Sequence, residues 1–364
     1  MKILITGSNG FIGKNLSVTL KQTDHEILSY DKNDNNLYEL LDNADFIFHL
    51  AGVNRPTNND EFYYGNTNLT KDICTYLINT NKSTPILITS SIQASNDNDY
   101  GKSKRYAEEL LLDYSTKSNA NIYIYRLSNV FGKWCRPNYN SVVATFCHNI
   151  ANDLDISINN GETVIPLIYI DDIISEFITC LTTKKDDSIN YVKPVYEVTL
   201  QYLADTLLSF KKSRENYNSI NVNDPFIKRL YSTYLTYLPT NRFSYSLKMN
   251  IDNRGSFTEI LKNENGGQVS VNISKVGITK GNHWHHTKTE KFIVVSGQGV
   301  IRFRHILEND IIEYNVSSDK IEVIDIPPGY THNIENIGDT DLVTIMWVNE
   351  LLDKDNPDTY YLDV

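Results

Sequence analysis

Cysteine is scarce in this chain. Cys74, Cys135, Cys147 and Cys180 are the whole complement, with no CxxC pair and none after Cys180. That excludes a disulfide framework and a thiolate zinc site, and it fits reduced, mostly buried thiols. Basic charge is also short: 34 Lys and Arg against 45 Asp and Glu leave a net charge of -11, the reverse of a nucleic-acid footprint. No apolar run approaches the roughly 20 residues of a membrane span, and the chain enters a glycine turn at Gly7, too early for a signal peptide. A cytoplasmic protein with no nucleic-acid or membrane partner is expected. A Gly/Ser-rich linker is missing too, so two domains would pack together rather than swing.

What is present falls into two patterns. A length of 364 residues allows two cores. Strands and helices alternate in the first two thirds, as in an α/β Rossmann domain, and short alternating strands separated by Gly, Asn and Asp turns follow from Lys248, as in an all-β barrel. The expected division is 1–243, with a cofactor-binding core over about 1–165 and a substrate-binding part over about 166–243, and then 244–364.

The first strand, Lys2 to Thr6, runs into Gly7-Ser8-Asn9-Gly10-Phe11-Ile12-Gly13 and a helix. Gly7 permits the turn, Gly10 lets backbone approach a phosphate, and Gly13 seats the helix on the sheet; the helix N-terminus offers its N–H groups to a pyrophosphate. A bare helix cap is the structural alternative, but the position after a first strand favours a dinucleotide. The second strand ends at Asp31, which suits a ribose and repels a 2′-phosphate, whereas the adjacent Lys32 attracts one. Leu50, Ala51 and Gly52 begin a loop suited to pass along the cofactor. A strand ending in Ser90 and Ser91 precedes Tyr100-Gly101-Lys102-Ser103-Lys104 at a helix start. Tyr100 and Lys104 share a helical face, and an ammonium beside a phenol is expected to lower the phenol's pKa. Ser91 would hydrogen-bond the same substrate oxygen.

In the second half, His283 and His285 fall on one face of a strand, Glu290 opens the next strand, and a PPGYTH turn ends at His332. Three imidazoles and a carboxylate suit a divalent transition ion of the zinc, iron, nickel or manganese group, zinc first, better than calcium or magnesium. Two surface histidines would explain HxH alone, but not the Glu and the distant third His at matching turns.

GxxGxxG, YxxxK, the run Arg126 to Gly132 (RLSNVFG) and Tyr169-Ile170-Asp171-Asp172 resemble the extended short-chain dehydrogenase/reductase family. The spacing around His283, Glu290 and His332 resembles the cupin family, a double-stranded β-helix barrel with its metal inside, although no glycine stands six before Pro327. Asp252 to Glu259 looks like the DxRGxFxE opening of cupin-type nucleotide-sugar epimerases. Those resemblances imply a Ser91–Tyr100–Lys104 reductase site and substrate contacts from Arg126, Asn129, Lys133, Arg136, Asn138 and Arg254. Glu259, His286 and Tyr330 are candidates for the epimerase acid and base.

Domain order and long shared stretches resemble, over the full length, bifunctional capsular-polysaccharide enzymes. This implies C3 epimerisation of a UDP-2-acetamido-2,6-dideoxy-4-hexulose and C4 reduction by NADPH to UDP-N-acetyl-L-talosamine, toward N-acetyl-L-fucosamine. NADH remains open because of Asp31, and a homodimer is implied. The alternatives are a reductase whose cupin half is a structural or dimerising module, and a 4,6-dehydratase. Ser90-Ser91-Ile92-Gln93 lacks the Asp-Glu pair that the resemblance would require of a dehydratase.

Overall fold

The computed structural model describes residues 1–364 apart from 59, 264, 352 and 354. It comprises two compact units: Met1–Phe210 with Val222–Pro239, and Lys211–Asn221 with Thr240–Val364. Residues 211–221 therefore group with the second unit, whereas the sequence expectation put everything up to 243 in the first.

The first unit is built on β1 (Lys2–Thr6), β2 (Glu26–Tyr30), β3 (Phe46–His49), β4 (Ile86–Ser91), β5 (Ile122–Leu127), β6 (Asn129–Phe131), β7 (Val164–Tyr169), β8 (Ile189–Asn190) and β9 (Tyr196–Thr199). A parallel sheet has the order β2-β1-β3-β4-β5-β8, and β6-β7-β9 form a smaller sheet. β3 and β4 are buried along their whole length, which explains their unbroken apolar runs: helices cover both faces of the sheet. Two clusters make that core, one around Phe46, Phe48, Tyr125 and Phe177, the other around Leu41, Ile73, Leu111 and Ile124. The chain order reverses between β1 and β3, and open α/β sheets bind ligands in the crevice at the carboxyl ends of such strands.

Behind that crevice His49 is buried between the hydroxyls of Thr6, 2.7 Å from Nδ1, and Thr70, 2.8 Å from Nε2. Burial, reinforced by the Lys104 charge, pulls its pKa down to about 3. It is a neutral pin between β1 and β3.

The second unit contains β10 (Met249–Asp252), β11 (Gly255–Asn263), β12 (Gly267–Ser274), β13 (Thr279–Trp284), β14 (Glu290–Ser296), β15 (Gln298–His305), β16 (Ile311–Ser317), β17 (Ile324–Ile326), β18 (Tyr330–Asn336), β19 (Leu342–Val348) and β20 (Tyr360–Tyr361). They form two antiparallel sheets, β10-β11-β12-β19-β14-β17 and β16-β15-β18-β13-β20, rather than one continuous closed sheet. Phe292, Val294, Ile301, Phe303, Ile326, Ile334 and Leu342 pack as its core. The strand expected from Lys320 is ordered as strand only over Ile324–Ile326. No described helix is long and apolar enough to cross a membrane.

Candidate active sites

A cleft of about 920 Å³ opens in the first unit, lined by the glycine turn, by Leu50 and Gly52 after β3, by Ser91 at the end of β4, and by Tyr100, Lys104, Asn129 and Arg136. Gly7 has φ +72°, and a Cβ on Gly13 would stand 2.2 Å from the Gly7 carbonyl oxygen. The turn and the helix Phe11–Leu20 can therefore meet only through glycine. Gly10 caps that helix without a side-chain hydrogen bond, which leaves its first amides for a ligand.

Asp31 does not stand open toward the cleft. Its carboxylate accepts hydrogen bonds from the Ser8 hydroxyl at 2.5 Å and from the Asn9 backbone and side-chain amides at 3.2 and 2.7 Å. Ala51, Asp31 and Lys32 lie outside the cleft lining. Lys32 is exposed.

The reductase candidates do come together. The helix Asp99–Ser118 is capped by Asn98, whose side chain accepts from the Gly101 amide at 2.7 Å. This presents Tyr100 and Lys104 on one face. Ser103 on the same helix accepts from the Asn66 amide at 3.1 Å, and Asn66 also takes the Val53 N–H at 2.9 Å, tying the loop after β3 to the helix that carries Tyr100 and Lys104. Lys104 is fully buried and donates to the Thr89 carbonyl at 3.1 Å; burial pulls its ammonium down to about 8 against the opposing pull of Glu108. The expectation for Tyr100 needs correction. Burial raises its pKa, and the hydrogen bond with Ser91 only partly offsets that. A phenol removed from water favours its neutral form.

Several expected substrate contacts are engaged elsewhere. Arg126 forms a fork with Glu108, Nη2 to Oε2 at 2.6 Å and Nε to Oε1 at 2.9 Å, and Ser90 donates to the same carboxylate at 2.5 Å. This triad ties β4 to β5; Ser90 lines the cleft, whereas Arg126 and Glu108 do not. Lys133 pairs with Asp171 and lies against the Trp134 ring; Asn138, at φ +55°, shapes a turn whose amide donates to Thr145. Neither lines the cleft. Arg136 and Asn129 do, Arg136 lying over the Tyr139 ring and Asn129 donating to the Pro166 carbonyl at 3.1 Å. Sequence reading missed the role of Asn54, whose Oδ1 accepts from the Tyr100 hydroxyl at 3.2 Å. Its place just after β3 was the available signal.

In the second unit the ligand atoms of His283, His285, Glu290 and His332 lie within 4.8 Å of one another. A bulge between Gly281 and His283 sets His283 opposite His332, with ring centroids 4.6 Å apart. Gly281 has φ +115°, and a Cβ there would stand 2.7 Å from the His332 carbonyl oxygen. Glu290 reaches the group from the other sheet, its Oε2 3.1 Å from His332 Nε2 and 3.6 Å from His285 Nε2. Burial alone would raise the Glu290 carboxyl, yet the neighbouring His285 and His332 outweigh it and hold it well below the usual range. Burial and then His332 bring His283 down to about 4.

Glu290 is thus held as a carboxylate and His283 as a neutral imidazole, the forms in which such groups bind a metal. His285 Nε2 and His332 Nδ1 are buried without a hydrogen-bond partner. An orphaned imidazole nitrogen, His285 Nε2, 3.6 Å from the Glu290 carboxylate and clustered with two further histidines, fits a divalent transition ion.

The three acid/base candidates have other neighbours. Trp284 and Tyr360 enclose the His286 ring at 4.5 and 5.0 Å between centroids. Glu259 pairs with Lys262 at 2.8 Å, and Tyr330 packs on His305 with centroids 5.1 Å apart. Arg254 pairs with Asp252 at 2.7 Å and lines a second hollow of about 540 Å³, together with Lys280, which donates to Asn272 Oδ1 at 2.8 Å.

Both halves of the chain match known families. Residues 3–192 match the NAD dependent epimerase/dehydratase family, and residues 250–360 match the polysaccharide biosynthesis C-terminal domain. A Pseudomonas aeruginosa protein, UDP-2-acetamido-2,6-beta-L-arabino-hexul-4-ose reductase, is 44% identical over 100% of this chain and 99% of its own length. The crystal structure of the capsular polysaccharide assembling protein CapF from Staphylococcus aureus is 53% identical, covers 100% of both chains and superposes with a TM-score of 0.94. A UDP-glucuronic acid 4-epimerase from Bacillus cereus in complex with NAD is 17% identical, covers 65% of this chain and 98% of its own, and has a TM-score of 0.55, a likeness of fold alone. The chain belongs to the NAD dependent epimerase/dehydratase family.

Proposed function

We propose that this chain is a bifunctional nucleotide-sugar enzyme. Its second unit, read as a cupin, epimerises C3 of a UDP-2-acetamido-2,6-dideoxy-4-hexulose, and its first unit reduces the C4 ketone to give UDP-N-acetyl-L-talosamine, on the way to N-acetyl-L-fucosamine for capsular polysaccharide. One observation carries the reading: a Ser91–Tyr100–Lys104 cleft and a buried set of three histidines and a glutamate occur in one chain. The relatives named above support the substrate class.

Bound in the cleft, a nicotinamide cofactor supplies the hydride. Tyr100 gives its phenolic proton to the C4 oxygen, Ser91 donates a hydrogen bond to that oxygen, and the Lys104 ammonium stabilises the phenolate left behind. The raised pKa of Tyr100 suits this direction, because reduction needs a proton donor. NADPH is the proposed cofactor. The Asp31 carboxylate is already held by Ser8 and Asn9, and the exposed Lys32 beside it offers a charge to a 2′-phosphate.

In the second unit His283, His285, Glu290 and His332 would hold one divalent ion, zinc in this reading, which would supply a positive charge beside the ketone whose neighbouring proton is removed. Epimerisation must come first, since reduction abolishes the acidity of C3. A homodimer in the cytoplasm is part of the same reading.

Two measurements test it. NADPH absorbance should fall stoichiometrically with added UDP-4-ketosugar, and consumption-free turnover would instead indicate the dehydratase. The rate of reduction should decline as pH rises through about 8, because Lys104 is charged below that value and neutral above it. A rate that is flat from pH 7 to about 9.5 would remove Lys104 from the mechanism.

A further inference from the structure

Residues 358–363 form a strap along the strand that carries His283. β20 pairs antiparallel with β13, His283 opposite Tyr361 and Trp284 opposite Tyr360. Leu362 donates its amide to the Asn282 carbonyl at 3.0 Å and accepts from Thr331, next to His332. The strap thus touches the chain beside two of the histidines of the cluster.

Its most connected residue is Asp358. The Asp358 carbonyl oxygen lies 2.5 Å from His285 Nδ1. A neutral imidazole has a single N–H; spent on that carbonyl, it leaves the lone pair on Nε2, an atom buried without a hydrogen-bond partner. The Asp358 carboxylate accepts the backbone amides of His286, Thr287 and Lys288 at 2.9, 2.7 and 2.9 Å, and the Thr287 hydroxyl at 3.1 Å. Those amides belong to the loop between His285 and Glu290. One side chain therefore fixes the path between two candidate ligands while its own main chain selects the tautomer of the first.

We propose that Asp358 is the positioning residue of the metal centre, so that docking of the 358–363 strap and metal binding are linked. This rests on the reading of the four-residue cluster as a metal site. Linkage is reciprocal: if the docked strap favours the ion, the ion favours the docked strap by the same factor.

The test uses the full chain and zinc. Zinc affinity is measured by competition with a chelating dye in the wild type, Asp358→Ala and Asp358→Asn, and amide exchange of the strap is followed by mass spectrometry with and without zinc. Asp358→Ala should bind zinc about 10- to 100-fold more weakly. Asp358→Asn, which keeps one acceptor oxygen and guards against loss of the fold, should lose less. Zinc should slow exchange over 358–363 in the wild type by about tenfold or more. Affinity of Asp358→Ala within about twofold of wild type, or strap exchange indifferent to zinc, overturns the inference while leaving the metal site intact. A wild type that takes up no zinc overturns the metal reading and the inference with it.

Discussion

Tyr100→Phe should lower the rate of ketosugar reduction by roughly 10²- to 10⁴-fold while leaving cofactor binding and the fold in place. The phenol ring supports the cleft wall and packs on Phe62, with centroids 5.5 Å apart, contacts that phenylalanine keeps. What disappears is the one proton donor aligned with Ser91 and Lys104. Stopped-flow oxidation of NADPH measures the loss, and fluorescence titration of the cofactor checks that binding survives. The same variant should still exchange the C3 proton of the ketosugar with solvent, since that chemistry belongs to the second unit. A variant that reduces within about tenfold of wild type would mean that another group protonates the ketone.

The converse experiment has a comparable effect. His283→Ala and His332→Ala each remove an imidazole from the four-residue cluster and should abolish stoichiometric zinc uptake. Exchange of deuterium into C3 should fall by about 10³-fold or more, because an ion stabilising the developing negative charge is worth several kcal/mol. Added zinc should raise the melting temperature of the wild type, by the ordinary linkage of binding to folding, and leave that of the variants unchanged. Reduction of a ketosugar that already has the final C3 configuration should proceed. Equal loss of both activities in Tyr100→Phe and His283→Ala would contradict two separate chemistries.

Much of this was legible in the sequence because it depends on local periodicity. The parallel sheet shows itself in apolar runs such as Phe46–His49 and Ile86–Ser91, and the α/β half follows. Four residues of helix bring Tyr100 and Lys104 together, and two residues of strand put His283 and His285 on one side. Nothing local tells how much water reaches the phenol, so the direction of the Tyr100 shift was misjudged: burial outweighs the stabilisation of charge that an adjacent ammonium alone suggests.

The partner of Arg126 was out of reach for a similar reason. Arg126 looks like a substrate ligand in a loop motif, but Glu108 lies on the same helix as Lys104, one turn on, and reaches β5 from there. Its guanidinium is claimed by a buried carboxylate before any substrate arrives. Asp358 gave no sequence signal at all. It is 73 residues from His285, and only the pairing of β20 with β13 brings them together. His286 shows the reverse case: it stands among the histidines in sequence, but its ring packs between Trp284 and Tyr360 in the bend after β13.

The central claim is that one polypeptide first exploits the acidity beside a ketone and then removes it by reduction. The most direct measurement is a single incubation of the zinc-loaded wild type with the UDP-4-ketosugar and NADPH in deuterium oxide, with the reduced product examined by NMR. The account predicts one deuterium at C3, inverted configuration at that carbon and one NADPH consumed per product. A reduced sugar with its original proton and configuration at C3 would contradict it.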